Sequence, residues 1–174
     1  GQSDWDRHMS SVDSLYAIRN GCLVLRGVVN RTETSDTARY ITGGLYTRGK
    51  RHISYGKVEV RARLGRAQGA WPAIWMLPFT AQWPMGGEID IMEHLNHDFI
   101  AYQTIHTHYT HDLHFEKNPP HGSTHPIDRD GFNTYAVEIL PDSLVFSVNG
   151  DRYFTYPRIE TDKPGQYPFG TPFY

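Results

Sequence analysis

The sequence is poor in cysteine and has no large excess of charge of either sign. Its 174 residues include one cysteine, Cys22, so an internal disulfide and a zinc site built from several cysteines are excluded. The 17 lysine and arginine residues face 19 aspartate and glutamate residues, for a net charge of -2. We therefore expect no nucleic acid and no anionic membrane as partner, and packing must supply the stability.

Long hydrophobic runs are also missing. No apolar stretch approaches the roughly 20 residues that cross a bilayer, so we expect no membrane span, and residues 1–4 carry no apolar signal-peptide core. Hydrophobic residues make up 39% and charged residues 21% of the chain, which is typical of a folded globular protein. The length predicts a single domain with one core.

Helical periodicity is scarce, whereas short segments in which every second residue is apolar recur along the chain. In residues 57–64 apolar and charged side chains alternate strictly, which indicates one buried and one solvated face. The Asn-Gly dipeptides at 20–21 and 149–150 favour tight hairpin turns. Further strands are predicted at 16–18, 23–25, 40–46, 70–76, 88–93, 101–108, 134–140, 144–148 and 152–156. The sequence thus predicts a nearly all-β protein, either a two-sheet sandwich or a barrel, with antiparallel pairing.

Residues 111–131 are rich in glycine and proline, and we predict a long surface loop there. Loops of this length in a compact domain are usually functional or disordered. We consider two alternatives for this loop: it forms a wall of a binding cleft, or it is a solvated surface loop without a function.

The most informative segment reads Gly-Gly-Glu-Ile-Asp-Ile-Met-Glu and sets Glu88, Asp90 and Glu93 among strongly apolar neighbours. A helix would not place all three carboxylates on one face. On a regular strand Glu88 and Asp90 share a face, but Glu93 is an odd number of residues away and points to the other. A β-bulge at Ile91-Met92, with Met92 as the spare residue, returns Glu93 to the shared face. Bulges are common beside active sites, and we predict one here.

Three neighbouring carboxylates repel one another, so at least one should hold a proton near neutral pH, its pKa raised by its neighbours and by partial burial. A protonated and an ionised carboxyl group together perform glycoside hydrolysis. Asp90, between the other two, is suited to orient or tune them. The alternatives are solvent-facing acids of an edge strand and a cation site.

Three motifs together resemble glycoside hydrolase family 16. They are the acidic motif at 87–93, Gly-Ala-Trp-Pro-Ala-Ile-Trp-Met-Leu-Pro at 69–78 and Tyr-Gly-Lys-Val-Glu-Val-Arg at 55–61. The longer, bulged acidic motif is similar to that of the bacterial laminarinase and mixed-linkage β-glucanase branch. The resemblance implies a β-jelly-roll sandwich of two curved antiparallel sheets with a concave substrate cleft. It implies that Glu88 is the nucleophile, Asp90 its assisting neighbour and Glu93 the general acid/base of a retaining double displacement.

The family usually begins with a strand earlier than Trp5 and continues well beyond a segment like 167–174. We therefore expect a single family 16-like catalytic domain over residues 1–174 that lacks terminal strands at both ends. Either the chain is a fragment or a second chain supplies the missing strands. The resemblance implies no cofactor for catalysis. Many relatives hold a structural calcium ion near their termini, and such an ion stays open as an alternative here.

Several aromatic side chains are candidates for sugar binding. Trp71 and Trp75 share one face of their predicted strand, and an indole offers a flat apolar surface to the C–H face of a pyranose. Core packing is the alternative for both. Trp83, in the loop before the acids, is a further candidate, and Asn30 with Arg31 is a candidate for the non-reducing side of the cleft.

Six histidines lie close together in the sequence: His94, His97, His106, His108, His111 and His114. Clustered imidazoles suggest a metal site, but no flanking cysteine or acidic pattern completes a metal motif, and no metal site is predicted. The resemblance implies that His106 lies near the acid/base, where it would hydrogen-bond substrate or tune Glu93. Four histidines are predicted as ordinary loop residues: His111, His114, His121 and His125.

These features predict an endo-acting, retaining hydrolase that cleaves internal β-1,3 or mixed β-1,3/β-1,4 bonds of a β-glucan polysaccharide. A galactan-cleaving enzyme acting on agar-like or porphyran-like chains is one alternative. A carbohydrate-binding module, or an inactive fragment, is another. Because a glucan polymer cannot enter a cytoplasm, we expect an extracellular, cell-surface or periplasmic location.

Overall fold

A computed structural model describes residues 9–31 and 38–174. The chain divides into two compact units, Gly1–Tyr46 and Thr47–Tyr174, and strands dominate both. The nearly all-β prediction is confirmed. In the described ranges, no helix has the length and apolar character needed to cross a membrane. A single domain over residues 1–174, incomplete at both ends, stays a prediction.

The amino-terminal unit holds two antiparallel strand pairs. After a 3-10 turn at Asp13–Leu15 its strands are β1 (Tyr16–Arg19), β2 (Cys22–Leu25), β3 (Gly27–Val29) and β4 (Tyr40–Thr42). β1 pairs with β2 and β3 with β4. Asn20 and Gly21, between β1 and β2, have φ values of 50° and 74°, as a tight hairpin turn requires. The predicted hairpin is confirmed, whereas the strand predicted at 40–46 ends at Thr42 and β3 was not predicted.

The carboxy-terminal unit packs two antiparallel four-stranded sheets against each other. Its strands are β5 (Gly56–Ala62), β6 (Ala73–Met76), β7 (Glu88–Glu93), β8 (Ile100–His106), β9 (Gly122–Pro126), β10 (Asn133–Ile139), β11 (Ser143–Val148) and β12 (Asp151–Pro157). One sheet has the order β6-β7-β8-β9 and carries the three carboxylates, so we name it the acidic sheet. The other, with the order β12-β11-β10-β5, is the outer sheet. Of the two architectures left open, the sandwich is the one formed.

The core of this unit lies between the two sheets. The acidic sheet contributes six buried side chains: Met76, Ile89, Ile91, Met92, Ala101 and Ile105. The outer sheet contributes eight: Tyr135, Val137, Ile139, Leu144, Phe146, Val148, Phe154 and Tyr156. Fully burying one large apolar side chain contributes roughly 1.5–3 kcal/mol. Because the apolar residues of β7 pack into this core, its acidic residues lie on the opposite face of the sheet.

The predicted bulge in β7 is present. Asp90 pairs with Thr104 of β8, and the next pair along the strand is Glu93 with Tyr102. Between these two pairs β7 therefore has two residues where β8 has one. The extra residue brings Glu93 back to the face of Asp90, as predicted from the odd spacing.

The two residues in the bulge, Ile91 and Met92, are each 1% exposed, and both belong to the core cluster. In a regular strand one of two neighbours would face away from the core. Against β6, Met92 pairs with Ile74 while Asp90 pairs with Trp75. On that side Ile91 is the residue without a cross-strand partner, so the expectation that Met92 is the spare residue is corrected.

The breaker-rich stretch predicted as a loop contains regular structure. A π-helical turn at His108–Asp112 leads into it, and β9 lies within it and pairs with β8. β9 is an edge strand, where proline is tolerated, and Pro126 is its last residue. Gly122 begins the strand, and a Cβ there would lie 2.8 Å from the carbonyl oxygen of Gln103. The loop prediction is therefore wrong for β9, because these breakers mark the ends of a strand.

Gly87 sets the direction in which the chain enters β7. Its φ is +83°, and a Cβ would lie 2.7 Å from Cε1 of Phe169 and 2.9 Å from Cγ of Pro168. We expect Gly87→Ala to lower the free energy of unfolding by about 2–5 kcal/mol, the sum of left-handed strain and overpacking.

Urea denaturation would measure this loss, with Gly150→Ala as the matched control. Gly150 has a similar φ of +87° but nothing within 4 Å of the added Cβ, so it should lose only about 1–2 kcal/mol. Equal losses in the two variants would contradict a steric role for Phe169 and Pro168.

Candidate active site

The three carboxylates lie on one face of the acidic sheet. Residues directly opposite in an antiparallel pair share a face, and the cross-strand neighbours of the carboxylates are Ala73, Trp75, Tyr102, Thr104 and His106. Asp90 is 4% exposed, while Glu88 and Glu93 are half-buried. The prediction that Glu88, Asp90 and Glu93 share a face is confirmed.

Each glutamate accepts a hydrogen bond from the indole of a tryptophan. Nε1 of Trp83 donates to Oε2 of Glu88 at 2.5 Å, and Nε1 of Trp71 donates to Oε1 of Glu93 at 2.8 Å. Oγ1 of Thr104 donates to the other oxygen of Glu93, Oε2, at 3.3 Å. The two carboxylates are therefore held from different directions by residues outside β7.

The third carboxylate, Asp90, is paired with His106. Nε2 of the imidazole lies 3.3 Å from Oδ2 of Asp90, and His106 is the cross-strand neighbour of Glu88. The direct contact of His106 is thus with Asp90, while its charge also lowers the pKa of Glu93; the expected role of tuning Glu93 or binding substrate stays a prediction. On the same face of β8, Thr104 lies two residues before His106 and Tyr102 lies four residues before it. These two residues are the neighbours of Glu93 on β8.

Burial raises the pKa of all three carboxyl groups. The pKa of Glu88 rises to about 7, first through burial and then through the charge of Asp90, against the lowering effects of His106 and of the Trp83 hydrogen bond. The pKa of Asp90 is raised by burial, which outweighs its hydrogen bond with His106. Burial and then Asp90 also raise the pKa of Glu93. A pKa near 7 for Glu88 agrees with the expectation that one carboxyl group holds a proton near neutral pH. The group concerned is the one that the resemblance implies as the nucleophile, not Glu93, the implied acid.

The pKa of His106 is raised by the same cluster. Burial alone would lower it, but the hydrogen bond to Asp90 and the charges of the carboxylates outweigh that effect. A protonated His106 would offset part of the negative charge of the three acids. The cluster is therefore a set of mutually dependent protonation sites.

The raised pKa of Glu88 predicts a pH-dependent gain in stability when its charge is removed. Because the folded pKa lies above the unfolded value of 4.5 at about 7, the contribution of Glu88 to stability is present below pH 4.5 and is lost as the pH rises through 7. We expect Glu88→Gln to raise the Tm at pH 8 by about 3 °C or more and to leave it unchanged at pH 4. Thermal melts at both pH values would measure this.

Glu160→Gln is the matched control for these melts, because Glu160 is an exposed glutamate remote from the acidic motif in sequence. A Glu88→Gln variant that gains equally at pH 4 and pH 8, or not at all, would contradict a burial cost carried by the charge.

The indoles of Trp71 and Trp83 are accessible. Trp71 is 64% exposed and Trp83 is 47% exposed, so core packing does not explain them. Trp75 is partly buried, outside the core cluster, on the face of Asp90. Trp71 lies before β6 instead of within the predicted strand 70–76. Sugar contacts by these three tryptophans stay predictions.

A pocket of about 290 Å³ adjoins His106. Its lining residues are His106, Thr110, His111, His114, Glu116 and His121. The π-helical turn presents His111, whose ring centre lies 4.5 Å from that of Trp83 in an edge-on contact. The segment after β8 thus forms a wall beside the carboxylates, and three histidines predicted as ordinary loop residues line it. Across residues 9–31 and 38–174, no three His, Cys, Asp or Glu side chains are grouped to hold a metal ion.

The family model described as "Glycosyl hydrolases family 16" matches residues 22–174. The chain belongs to glycosyl hydrolase family 16. It is 34% identical over its whole length to a keratan-sulfate endo-1,4-beta-galactosidase of Sphingobacterium multivorum, covering 42% of that protein. It is 36% identical to a beta-glucanase of Rhodothermus marinus over 90% of this chain and 57% of the relative. The chain thus spans about half the length of these curated relatives.

Solved structures of family 16 enzymes have the same fold. The laminarinase from Rhodothermus marinus superposes with a TM-score of 0.83 at 30% identity, over 95% of this chain and 68% of that one. The expected β-jelly-roll architecture and the family assignment are both confirmed. The calcium ion seen as an alternative stays a prediction.

The remaining candidate in this family 16 chain, Asn30, lies in the amino-terminal unit directly after β3. Its side-chain amide donates to the carbonyl oxygen of Ala38 at 3.0 Å, and a role in binding substrate stays a prediction. Thr104 was missed as a neighbour of the acids. The signal for it was its position two residues before His106 on a strand, which puts both side chains on one face.

Proposed function

We propose that this protein is an endo-acting, retaining β-glucanase that cleaves internal β-1,3 or mixed β-1,3/β-1,4 bonds. The observation that carries the proposal is the pair Glu88 and Glu93 on one sheet face, with buried Asp90 between them and an exposed indole on each. Retaining glycosidases use two such carboxyl groups. The glucan-cleaving relatives support the choice of substrate.

In the first step the ionised carboxylate of Glu88 attacks the anomeric carbon. The bond from that carbon to the glycosidic oxygen breaks, and the departing oxygen takes the proton of Glu93. The products are a glycosyl ester on Glu88 and a shortened sugar chain. Asp90 and His106 keep the charge of the cluster balanced while Glu88 changes from anion to ester.

In the second step water attacks the same carbon from the side that the leaving group occupied. The carboxylate of Glu93 takes a proton from this water, and the ester bond to Glu88 breaks so that Glu88 leaves as an anion. Two inversions at one carbon retain the β configuration. The net reaction consumes one water per bond cleaved and uses no cofactor.

A β-galactan is the second candidate substrate. It is favoured by the 34% identity to the galactosidase over the whole of this chain. The same two glutamates would perform the reaction, since glucose and galactose differ at C4 and the chemistry occurs at C1. An agar-like, porphyran-like or keratan-type chain would then occupy the cleft.

Incubation with laminarin, barley β-glucan, agarose and keratan sulfate, followed by sizing of the products, tests the proposal. We expect laminarin or barley β-glucan to yield short oligosaccharides early, as internal cleavage requires, with the β anomer appearing first by proton NMR. Cleavage of the galactans alone would move the assignment to the second candidate. Binding without any cleavage would identify a carbohydrate-binding module instead.

We also propose that the protein acts at the cell surface, in the periplasm or outside the cell. A polymeric substrate supports this location, because it cannot enter a cytoplasm. Fractionation of the producing cells would test it, and activity confined to the cytoplasm would contradict it. A second chain that supplies further strands stays a prediction.

A further inference from the structure

The two indole hydrogen bonds each engage one particular oxygen of a carboxyl group. Trp83 holds Oε2 of Glu88 at 2.5 Å, and Trp71 holds Oε1 of Glu93 at 2.8 Å. Among the residues that the structure describes, none donates a hydrogen bond to Oε1 of Glu88. The second oxygen of Glu93 faces the hydroxyl of Thr104 at 3.3 Å.

These donors differ in what they permit. An indole N–H can only donate, whereas a threonine hydroxyl can donate or accept. An oxygen that faces an indole N–H must therefore be an acceptor, and the proton of its carboxyl group is favoured on the other oxygen, because a carbonyl oxygen accepts a hydrogen bond more strongly than a protonated one. The oxygen that faces Thr104 can carry a proton, because the hydroxyl then accepts it. The hydrogen bonds thus make the two oxygens of each carboxyl group chemically distinct.

We propose that Trp83 and Trp71 are positioning residues that select the reacting oxygen of each glutamate: Oε1 of Glu88 for attack on the sugar, and Oε2 of Glu93 for proton transfer. The inference rests on the proposed function and extends it, because it assigns to two exposed tryptophans a role other than sugar stacking. Trp83 itself packs edge-to-face with His111, with the two ring centres 4.5 Å apart.

The electrostatics agree with this geometry. The hydrogen bond from Trp83 lowers the pKa of Glu88 against the larger effect of burial. The hydrogen bond from Trp71 does the same for Glu93. Asp90 and His106 are the titratable groups whose charges act on both Glu88 and Glu93. The indole of Trp83 acts on Glu88 alone, and that of Trp71 acts on Glu93 alone.

The first test needs no substrate. The chain has four tryptophans, so the nitrogen-15 correlation spectrum of the labelled protein holds four indole N–H signals. Trp83→Phe removes one of these signals and Trp71→Phe another, and each loss assigns the signal to its residue. We expect the Trp83 signal to move with a midpoint near pH 7 and to lose that step in Glu88→Gln. The Trp71 signal should keep its titration in Glu88→Gln and lose it in Glu93→Gln. Titrations unchanged by the matching Gln variant would overturn the inference.

The second test uses the dependence of kcat/KM on pH. Phenylalanine keeps an aromatic ring for sugar stacking but has no N–H, so each variant removes the hydrogen bond and keeps part of the stacking surface. We expect Trp83→Phe to move one limb of the profile upward by about half a pH unit or more, because Glu88 becomes harder to ionise. Trp71→Phe should instead move the other limb upward, because Glu93 becomes harder to ionise.

The two variants are controls for each other, since one narrows the active pH range and the other widens it. Identical shifts, or lower rates with unshifted limbs, would overturn the positioning role. If the protein cleaves no polysaccharide, the proposed function fails, and the spectroscopic titrations still decide whether each indole holds its own glutamate.

Discussion

Glu88→Gln is expected to reduce turnover by on the order of 10⁴-fold or more while sparing the binding of polysaccharide. The amide has nearly the volume of the carboxyl group, and its oxygen can still accept the hydrogen bond from Trp83. It cannot form the glycosyl ester, because a neutral amide is a very weak nucleophile. Rates of reducing-end release and affinity electrophoresis in laminarin gels would measure the two properties separately.

The exposed Glu160 again offers a matched control, since Glu160→Gln makes the same chemical change on the surface and should keep full activity. Retention of most of the rate by Glu88→Gln would remove Glu88 from the mechanism. Loss of both rate and binding would point to a disturbed cleft, which the melts at pH 4 and pH 8 would reveal.

Glu93→Ala is expected to lose nearly all activity on polysaccharide, and azide is expected to rescue part of its activity on a substrate with a good leaving group. On an aryl β-glycoside with a good leaving group, the first step needs no proton from Glu93, and the glycosyl ester accumulates. Azide fits the space left by the side chain and attacks without needing a general base. The product should be the β-glycosyl azide, identified by mass and by NMR.

Glu93→Gln keeps the space filled and should show little rescue, which makes it the matched control for the alanine variant. Azide should also leave the rate of the unaltered protein unchanged. A glycosyl azide of α configuration, or no azide product at all, would contradict the assignment of Glu93 as acid/base in a double displacement.

Apart from β9, the strand positions of the carboxy-terminal unit were predictable because its side chains obey a two-residue period. The odd spacing of Glu93 from Glu88 sufficed to predict the bulge, since only an extra residue brings the three acids together. Which bulge residue lacks a partner on β6 was not predictable, because Ile91 and Met92 are both apolar and both fit the core. That choice depends on the register with Ile74.

The strands β9 and β3 escaped prediction for a different reason. Both are short, and β9 is bounded by Gly122 and Pro126, which in isolation indicate a loop. β9 forms because β8 offers a free edge, and a sequence pattern does not contain that information. The contacts of Trp83 and His106 depend in the same way on neighbouring segments, so the sequence indicated these residues as candidates but not their partners.

The orientation of the carboxylates depends on how Ile91 and Met92 pack in the core. Both side chains are anchored between the sheets, and the acids on either side of them are carried on the same short piece of backbone. A substitution that lets this pair settle differently would rotate Glu93 relative to Glu88 even if the protein melted at its usual temperature. Substitutions at this buried pair should therefore reduce activity by more than their loss of thermal stability explains.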